Sequence, residues 1–567
     1  MQKYGELLRM LLEKRGIKDE AQAEVFLNPS YKRDLHDPFL MRDMNVACER
    51  ILEAIKNNER IVIYADYDCD GIPGAVILHD LFTKLDYKNY EVYIPQRNSE
   101  GYGLNSEAIE IFSKSNAKLI ITIDLGITAI DEVAQANGLG IDVIITDHHL
   151  PHKNLPKALA ILNPKVDSYP EKMLCGAGVV FKLVQGLIQK IVPQGLVLDP
   201  LKARPFPTIL DGWEKWMLDM AGLATLSDMV PLTGENRAIS YFGMKVLRKS
   251  PRPGLIKLLA KMKVDQKYMS EDDVSFMITP KINVASRMGD PVKAYELLSA
   301  KDEAQAGAIV DYLLKINDER KTMVTGIMRE VNKKLSVRET KEVIVIGNGE
   351  WRVGVLGLVA GKICDEYQKP VFVWGRDEND AIKGSCRSDG SVSVVELMTE
   401  ATEHFSDFGG HELAGGFTVR NDKIHFLEDA LSVVFLKICG KRQDLKEIQG
   451  LALKSDLTIN LGQVNMKNWN EIEKMAPFGL ANHKPIFLFE NVKIEKIKKF
   501  GKNGSGEHLE IIFSDSLGKV KAISFFSTVD SFKRTISGGE RVKLLASFDL
   551  SYFGGKKELR LRIIDII

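Results

Sequence analysis

Paired cysteines are the first thing this sequence lacks. Its six cysteines, Cys48, Cys69, Cys175, Cys364, Cys386 and Cys439, are scattered over 567 residues without C-x-x-C spacing. That argues against a disulfide framework or a structural zinc site, and for a reducing compartment, by default the cytoplasm. Long apolar runs are missing too. None approaches the ~18 to 20 residues of a membrane span, so no membrane association is expected. The opening MQKYGELLRMLLEKRGIKDE reads as an amphipathic charged helix and not as a signal peptide. There is no net charge, with 77 basic residues against 77 acidic ones. Nucleic-acid binders are often basic, so the balance speaks against a uniformly basic one but can hide local asymmetry. Residues 491–567 hold 15 Lys/Arg against 9 Asp/Glu, so the C-terminal end is basic and the remainder is correspondingly acidic. No internal repeat and no low-complexity segment is found.

With 45% apolar and 27% charged residues, the composition is that of a soluble globular protein. The length calls for several domains. Up to about residue 240, short apolar runs alternate with helical patterns: RIVIYA, YEVYIP, KLIITI, DVIIT and ALAILN. Near-continuous hydrophobicity suits parallel strands covered on both faces, an α/β fold. Between about 255 and 335 the pattern turns helical and ends in AYELLSAKDEAQAGAIVDYLLKINDERKTMVTGIMREVNKKL, read as one long connecting helix. A second α/β unit starts at EVIVIGNGEWRVGVLGLVAGKICDEY. From about 446, alternating runs such as LEIIFSD, VKAISFF, RVKLLASFDLS and LRLRIIDII read as an antiparallel barrel or sandwich.

The chemistry gathers at strand ends. In IVIYADYDCDGIPG an apolar strand runs into Asp66, Asp68 and Asp70, whose alternate spacing puts them on one side of an extended chain. LIITIDLG ends another strand in Asp124, IDVIITDHHL ends a third in Asp147, His148 and His149, and AGLATLSDMV supplies Asp228. A single aspartate in such a place is ordinarily a helix cap or turn residue, and a His-His pair ordinarily packs or faces solvent. Five or six converging carboxylates are another matter. Their repulsion requires cations, and carboxylates with neutral imidazoles suit Mn2+, then Mg2+, better than zinc. Open parallel sheets bind ligands at that carboxyl edge.

At this point the chain resembles a family. DYDCDG, IDLG, TDHH and LSDMVPLTGEN look like successive motifs of the DHH phosphoesterase superfamily. EGYGLN, TPKINVASRMGD and FGGHELAGGF look more narrowly like the RecJ branch, the single-strand-specific 5′→3′ exonucleases of bacteria. The resemblance runs in order through nearly the whole chain, including an OB-like end with MAPFGLANHKPIF. It implies a DHH catalytic domain over residues 1–250, a helical connector over 251–338, a DHHA1 substrate-binding domain over 339–445 and an OB-like barrel over 446–567. It also implies two metal ions. Asp68 and Asp124 would hold one; Asp70, Asp124, His148 and Asp228 would hold the other. Asp66 would support the first ion, His149 would touch the scissile phosphate, and Asp147 would orient a histidine.

Specificity must come from elsewhere. KGSCRSDG places Ser385 and Arg387 in what reads as a glycine-flanked turn, and in GGHELAGG Gly410 and its neighbours let backbone near His411 approach a ligand. With Arg97 these are the candidates for holding a terminal phosphate, since guanidinium pairs bidentately with phosphate oxygens. Asn283 and Arg287 are expected along the path near the metals. Tyr552, Phe553 and Phe548, among lysines and arginines, fit a surface on which bases stack and equally the core aromatics of an ordinary solvated β domain. Two positions depart from the family pattern. Tyr64 stands where several relatives carry a histidine, so the first ion is held more loosely or Asp66 substitutes, and Arg352 follows Trp351 where a histidine is common. The resemblance implies single-stranded DNA as substrate, a RecQ-type helicase and a single-strand-binding protein as candidate partners, and a monomer. The rival readings are a DHH/DHHA1 phosphodiesterase of short oligonucleotides or cyclic dinucleotides, a DHH pyrophosphatase and an inactive nucleic-acid scaffold.

Overall fold

The computed structural model describes residues 1–97, 99–192, 209–210, 212–441, 455–501, 508–553 and 556–567. The first sheet contains β1 (Arg60–Ala65), β2 (Tyr90–Tyr93), β3 (Ala117–Ile123), β4 (Asp142–Thr146) and β5 (Ala160–Leu162), in the order β2-β1-β3-β4-β5. All neighbouring pairs are parallel. Ile61, Ile63 and Ala65 of β1 face one apolar cluster, while Val62 and Tyr64 face another. Burial on both faces is why the strand reads as an uninterrupted apolar run. The order reverses between β1 and β3, and that switch point opens a crevice at the carboxyl ends of both strands. Asp66 and Asp124 are the residues that follow them.

Helix Gly71–Lys84 continues from β1 and packs on helix Gly176–Ile191. The expected long connecting helix is two helices, Val292–Leu298 and Glu303–Leu335. The break is chemical: the Asp302 carboxylate accepts from the backbone N–H groups of Ala304 and Gln305, each at 2.9 Å, and starts a new helix. The 33-residue helix buries a stripe that includes Ala306, Ile309, Leu313, Ile316, Val324, Ile327 and Val331.

The second sheet has the order β6-β7-β8-β10-β9. Its strands are β6 (Ile344–Gly347), β7 (Val371–Arg376), β8 (Ile382–Arg387), β9 (Phe405–His411) and β10 (Ala414–Val419). Only β6 and β7 are parallel. The expected turn at KGSCR is instead the β8 strand, paired on both sides. Its glycine serves packing, because a Cβ at Gly384 would meet the Phe417 ring at 2.2 Å.

The third sheet contains β11 (Leu457–Thr458), β12 (Phe487–Phe500), β13 (His508–Ser514), β14 (Lys519–Phe525), β15 (Arg541–Phe553) and β16 (Lys556–Ile566). The pairing of β12 with β15 closes it, so the barrel is observed and not the sandwich. Its core also takes in Leu7, Leu8, Leu11 and Leu12 of the N-terminal helix Glu6–Lys14. The first residues of the chain therefore complete the core of its last ones. The expected division at 445/446 lies outside the described residues. Among the described residues, no helix is long and apolar enough to cross a membrane.

Candidate metal centre and phosphate pocket

Each acidic group is placed by the element that precedes it. Asp66 N–H donates to Ile123 O at 3.0 Å, Asp124 N–H to Thr146 O at 2.9 Å, and Asp147 N–H to Leu162 O at 3.1 Å. These bonds extend the sheet by one residue and line the three carboxylates along its edge. Asp68 Oδ1 accepts from Asp70 N–H at 2.8 Å and from Gly71 N–H at 3.3 Å, which folds the loop at the start of helix Gly71–Lys84. The Asp70 carboxylate accepts from Gly176 N–H at 2.6 Å and Ala177 N–H at 2.7 Å, at the N-terminus of the facing helix. A Cβ at Gly176 would lie 2.6 Å from the Asp124 Cβ, so only glycine lets the two elements close around the site. Asp124 itself has φ +62°, an uncommon conformation for a non-glycine residue.

The ligand-type atoms converge in three overlapping groups: Asp66, Asp68 and Asp124; Asp70, His148 and Asp228; Asp124, His148 and His149. Within each group the atoms lie within 4.8 Å of one another. His148 Nε2 is 3.1 Å from Asp124 Oδ1 and 3.8 Å from Asp70 Oδ2, and its Nδ1 is 3.7 Å from Asp228 Oδ2. The His148 contact lacks hydrogen-bond alignment. Asp124 Oδ1 is therefore buried without a donor, and so is Asp66 Oδ1. Burial, then mutual repulsion, pushes the pKa of Asp66, Asp124 and Asp228 well above the ordinary carboxylate range, and that of Asp70 up to about 7. Burial, then His149, lowers His148 to about 3, leaving a neutral imidazole. Buried carboxyl oxygens without donors beside a neutral imidazole fit divalent cations with oxygen and nitrogen ligands.

Asp147 is bound differently. It accepts from the N–H groups of Ile127 at 2.9 Å, His148 at 2.7 Å and His149 at 3.0 Å, and from His149 Nδ1 at 2.8 Å. Burial opposes its ionisation, but these bonds outweigh it and hold Asp147 below its usual range. Burial likewise opposes protonation of His149, and the bond to Asp147 reverses the balance. The His149 ring stacks on His411 of the β9–β10 hairpin, centroids 5.7 Å apart and planes 12° from parallel. Gly410 precedes that histidine with φ +145°, and a Cβ there would meet Ala414 O at 2.4 Å.

A cavity of about 260 Å³ lies over the cluster, lined by Asp66, Asp68, Asp124, His148, His149 and Asp228 and also by Arg97, Asn283 and Arg287. Asn283 Oδ1 accepts from Cys69 N–H at 2.7 Å and so props the loop of Asp68 and Asp70. Arg287 donates to Gly354 O at 3.4 Å, and Arg352 to Met288 O at 3.2 Å, joining the two sheets' domains across the site. Ser385 and Arg387 do not line this cavity. They share a face of β8 and stand against Gly357 of helix Val353–Tyr367. Burial, then Arg97 and Arg320, lowers Arg287 to about 10 against the opposing pull of Asp68, with a further contribution from Arg387, so these guanidiniums crowd one another beside the acidic cluster.

Tyr64 lies in the core under the sheet, its hydroxyl donating to Gly103 O at 3.0 Å, and Asp66 alone of the two joins the acidic cluster. Phe548 is buried in the barrel core against Phe487, and Tyr552 stacks on Tyr268 at 4.3 Å, so neither ring is a free platform. Tyr67 and Ser286 also line the cavity without having been singled out in the sequence, and two further residues escaped sequence reasoning. Tyr102 donates to Asp124 O at 3.2 Å and stands 3.3 Å from His149 Nδ1; an aromatic set between glycines in EGYGLN was its signal. Arg320, whose buried Nε has no hydrogen-bond partner, comes from the connecting helix. In sequence it looks like any residue of a solvated helix face.

Three family models match: the DHH family N-terminal domain over residues 60–201, the DHHA1 domain over 340–437 and the RecJ OB domain over 455–565. The single-stranded-DNA-specific exonuclease RecJ of Bacillus subtilis is 31% identical over 563 residues, covering 99% of this chain and 67% of that protein. The chain belongs to the RecJ family. The Escherichia coli RecJ is 27% identical over 573 residues, covering 99% of this chain and 95% of that one. Among solved structures, Thermus thermophilus RecJ in complex with Mn2+ superposes with a TM-score of 0.78 at 25% identity, over 100% of this chain and 76% of that one. A further RecJ structure bound to manganese matches at 28% identity with a TM-score of 0.60, over 74% of this chain and 99% of that one.

Proposed function

We propose that this RecJ-family chain is a metal-dependent exonuclease that degrades single-stranded DNA from its 5′ end to 5′ mononucleotides, in recombination and repair. The observation that carries the reading is the meeting, in one cavity, of donor-free buried carboxylates with Arg97 and Arg287. The first arrangement suits cations and the second suits phosphate. The related proteins' printed activity and bound Mn2+ support the same reading.

Asp68 and Asp124, with Asp66, would hold one ion; Asp70, Asp124, His148 and Asp228 would hold a second, with Asp124 shared. Mn2+ and Mg2+ both suit this set, and such a pair, when bound, activates water and offsets charge on the attacked phosphate. The chain's own groups do the rest. Asp147 engages His149 through Nδ1, which leaves Nε2 free to donate to a phosphate oxygen of the scissile bond. Arg97 and Arg287 neutralise the strand end, and Ser385 and Arg387 extend that grip to the terminal phosphate. His411 closes over His149 from the second sheet. Asn283 keeps the Asp68–Asp70 loop in register.

In this reading the four-part division at 250, 338 and 445 assigns hydrolysis to the first sheet and end recognition to the second. The substrate must arrive unpaired, so a RecQ-type helicase and a single-strand-binding protein are the partner classes. The protein acts as a monomer in the cytoplasm, where its six free cysteines stay reduced.

The test is a time course with Mn2+ or Mg2+ on one oligonucleotide labelled at either end. Immediate release of labelled mononucleotide from the 5′ label, with a ladder from the 3′ label, is expected. Cleavage confined to substrates of two to five nucleotides, or of cyclic dinucleotides, would overturn it.

A further inference from the structure

Met229, next to Asp228, and Phe276, in the turn ahead of the helix that carries Asn283 and Arg287, are large apolar side chains that stand in solvent. Phe276 is 71% exposed and Met229 68% exposed. Met229 directly follows Asp228 with φ +57°, a left-handed conformation that non-glycine residues seldom adopt and that clusters at functional sites. Phe276 lies in the π turn Asp273–Ile278, which feeds helix Thr279–Met288, and π turns also concentrate where function is. The two elements are fastened together. Ser275 Oγ donates to Leu226 O at 3.4 Å, and Ser227 Oγ lies 2.6 Å from Thr279 Oγ1.

Phase along the helix connects Phe276 to the site. Asn283 is seven residues on, and seven residues are about two turns, or ~10 Å of rise, with both side chains on one face. The π winding shifts this phase without reversing it. Arg287, one turn further, continues the same stripe, and both Asn283 and Arg287 line the metal cavity. An apolar ring thus continues the surface that the exonuclease reading gives to phosphate. A polar residue would cost less in solvent.

We infer that Phe276, flanked by Met229, is a stacking platform for an unpaired nucleobase of the strand whose backbone runs over Asn283 and Arg287. The inference rests on the exonuclease reading and deepens it. Arginines hold phosphates of any strand, whereas a ring face accepts a base only where no partner strand covers it. The platform therefore contributes to the preference for single strands.

The experiment uses the full-length protein and a series of 5′-phosphorylated 12-mers, each with one abasic nucleotide at a successive position. Release of mononucleotide from the unmodified 12-mer first establishes the exonuclease reading by itself. On that strand Phe276→Ala should raise KM about 5- to 150-fold, the range for losing one base–aromatic stack. Phe276→Trp should restore it. At one abasic position the wild type should suffer the same loss, and Phe276→Ala no further loss there. Losses that multiply at every position, or a Phe276→Ala protein with an unchanged KM, would overturn the platform while leaving the exonuclease intact. A melting temperature equal to wild type is expected for so exposed a residue. A marked fall, with no coupling to any abasic position, would assign the ring to structure instead.

Discussion

The first sheet and the C-terminal barrel store their charge in opposite ways. At the sheet's carboxyl edge, Asp66, Asp70 and Asp124 are crowded and buried, and Asp66 and Asp124 each keep an oxygen without a donor. On the barrel, the basic surplus is spread over exposed strands, and much of it is already paired. Lys521 reaches Glu510 and Glu558, Arg560 reaches Asp549, and Arg534 reaches Glu540. Unrelieved charge in a low-dielectric place demands a partner, whereas paired charge in water demands none. The sheet can thus be assigned a chemistry from its geometry, and the barrel only a modest contribution to affinity.

The largest effect should follow from removing the carboxylate shared by two of the three groups. Asp124→Ala is expected to abolish hydrolysis, because catalysis by an ion pair needs both ions held. It also removes a buried carboxyl crowded by Asp70, Asp68 and Asp66, so the metal-free protein should melt no lower than wild type. In wild type, Mn2+ at 100 times its Kd should stabilise the fold by about 2.7 kcal/mol, and the variant should lose most of that increment. Activity above about a tenth of wild type, measured by mononucleotide release, would remove Asp124 from the centre of the mechanism.

Next in size is a stability effect at the far end of the molecule. Leu8 is fully buried in the barrel core although it belongs to the N-terminal helix. Leu8→Ala should cost about 2–5 kcal/mol, the range for cavities of this kind. Hydrogen exchange should quicken in β12 and β15 and not in β1 and β3. Uniform loosening of both sheets would mean that the two cores unfold as one unit, and the contrast between them would be thermodynamically empty.

How far the sequence discloses each region follows from the same contrast. Aspartates at the ends of apolar strands announce themselves, because strand pattern and strand end are both local features. The same holds for His148 and His149, and for the parallel order that brings them together. Ser385 and Arg387 were legible as residues but not as a place. Glycine beside serine suggests a turn, and only pairing with β7 and β10 makes it a strand. For Phe548 and Tyr552 stacking surface and packed core stay equally open in the sequence, because alternation along a strand does not say which face closes the barrel. Arg320 depends on a neighbouring helix some tens of residues back, and the leucines of the first helix on strands hundreds of residues on, and no local pattern reports either.

End recognition should give a smaller loss than the metal centre and should depend on substrate. If Arg387 grips the terminal phosphate, Arg387→Ala should weaken cleavage of 5′-phosphorylated strands by roughly 1.5–3 kcal/mol, about 10- to 150-fold. Strands with a 5′ hydroxyl should be affected far less. Equal losses on both would place Arg387 along the strand, or make it a support for helix Val353–Tyr367.

The smallest effect tests the barrel directly. Lys496, Lys498 and Lys499 are exposed on β12 and form no ion pair among the described residues. With Lys519 and Lys557, they belong to the part of the basic surplus that is exposed and without an ion pair among the described residues. Each phosphate contact on a single strand changes the slope of log affinity against log salt by about 0.7. Replacing all three lysines with alanine should therefore flatten the slope by about 2 on long strands, if each meets one phosphate. Oligonucleotides too short to reach the barrel should show no change, because the arginines around the metal cavity supply their contacts. That pairing of results separates a grip on the strand from a general loss of positive charge, which would lower affinity for short and long strands alike. An unchanged slope on long strands would leave the barrel, with the helix that completes its core, as a surface for a protein partner and not for DNA.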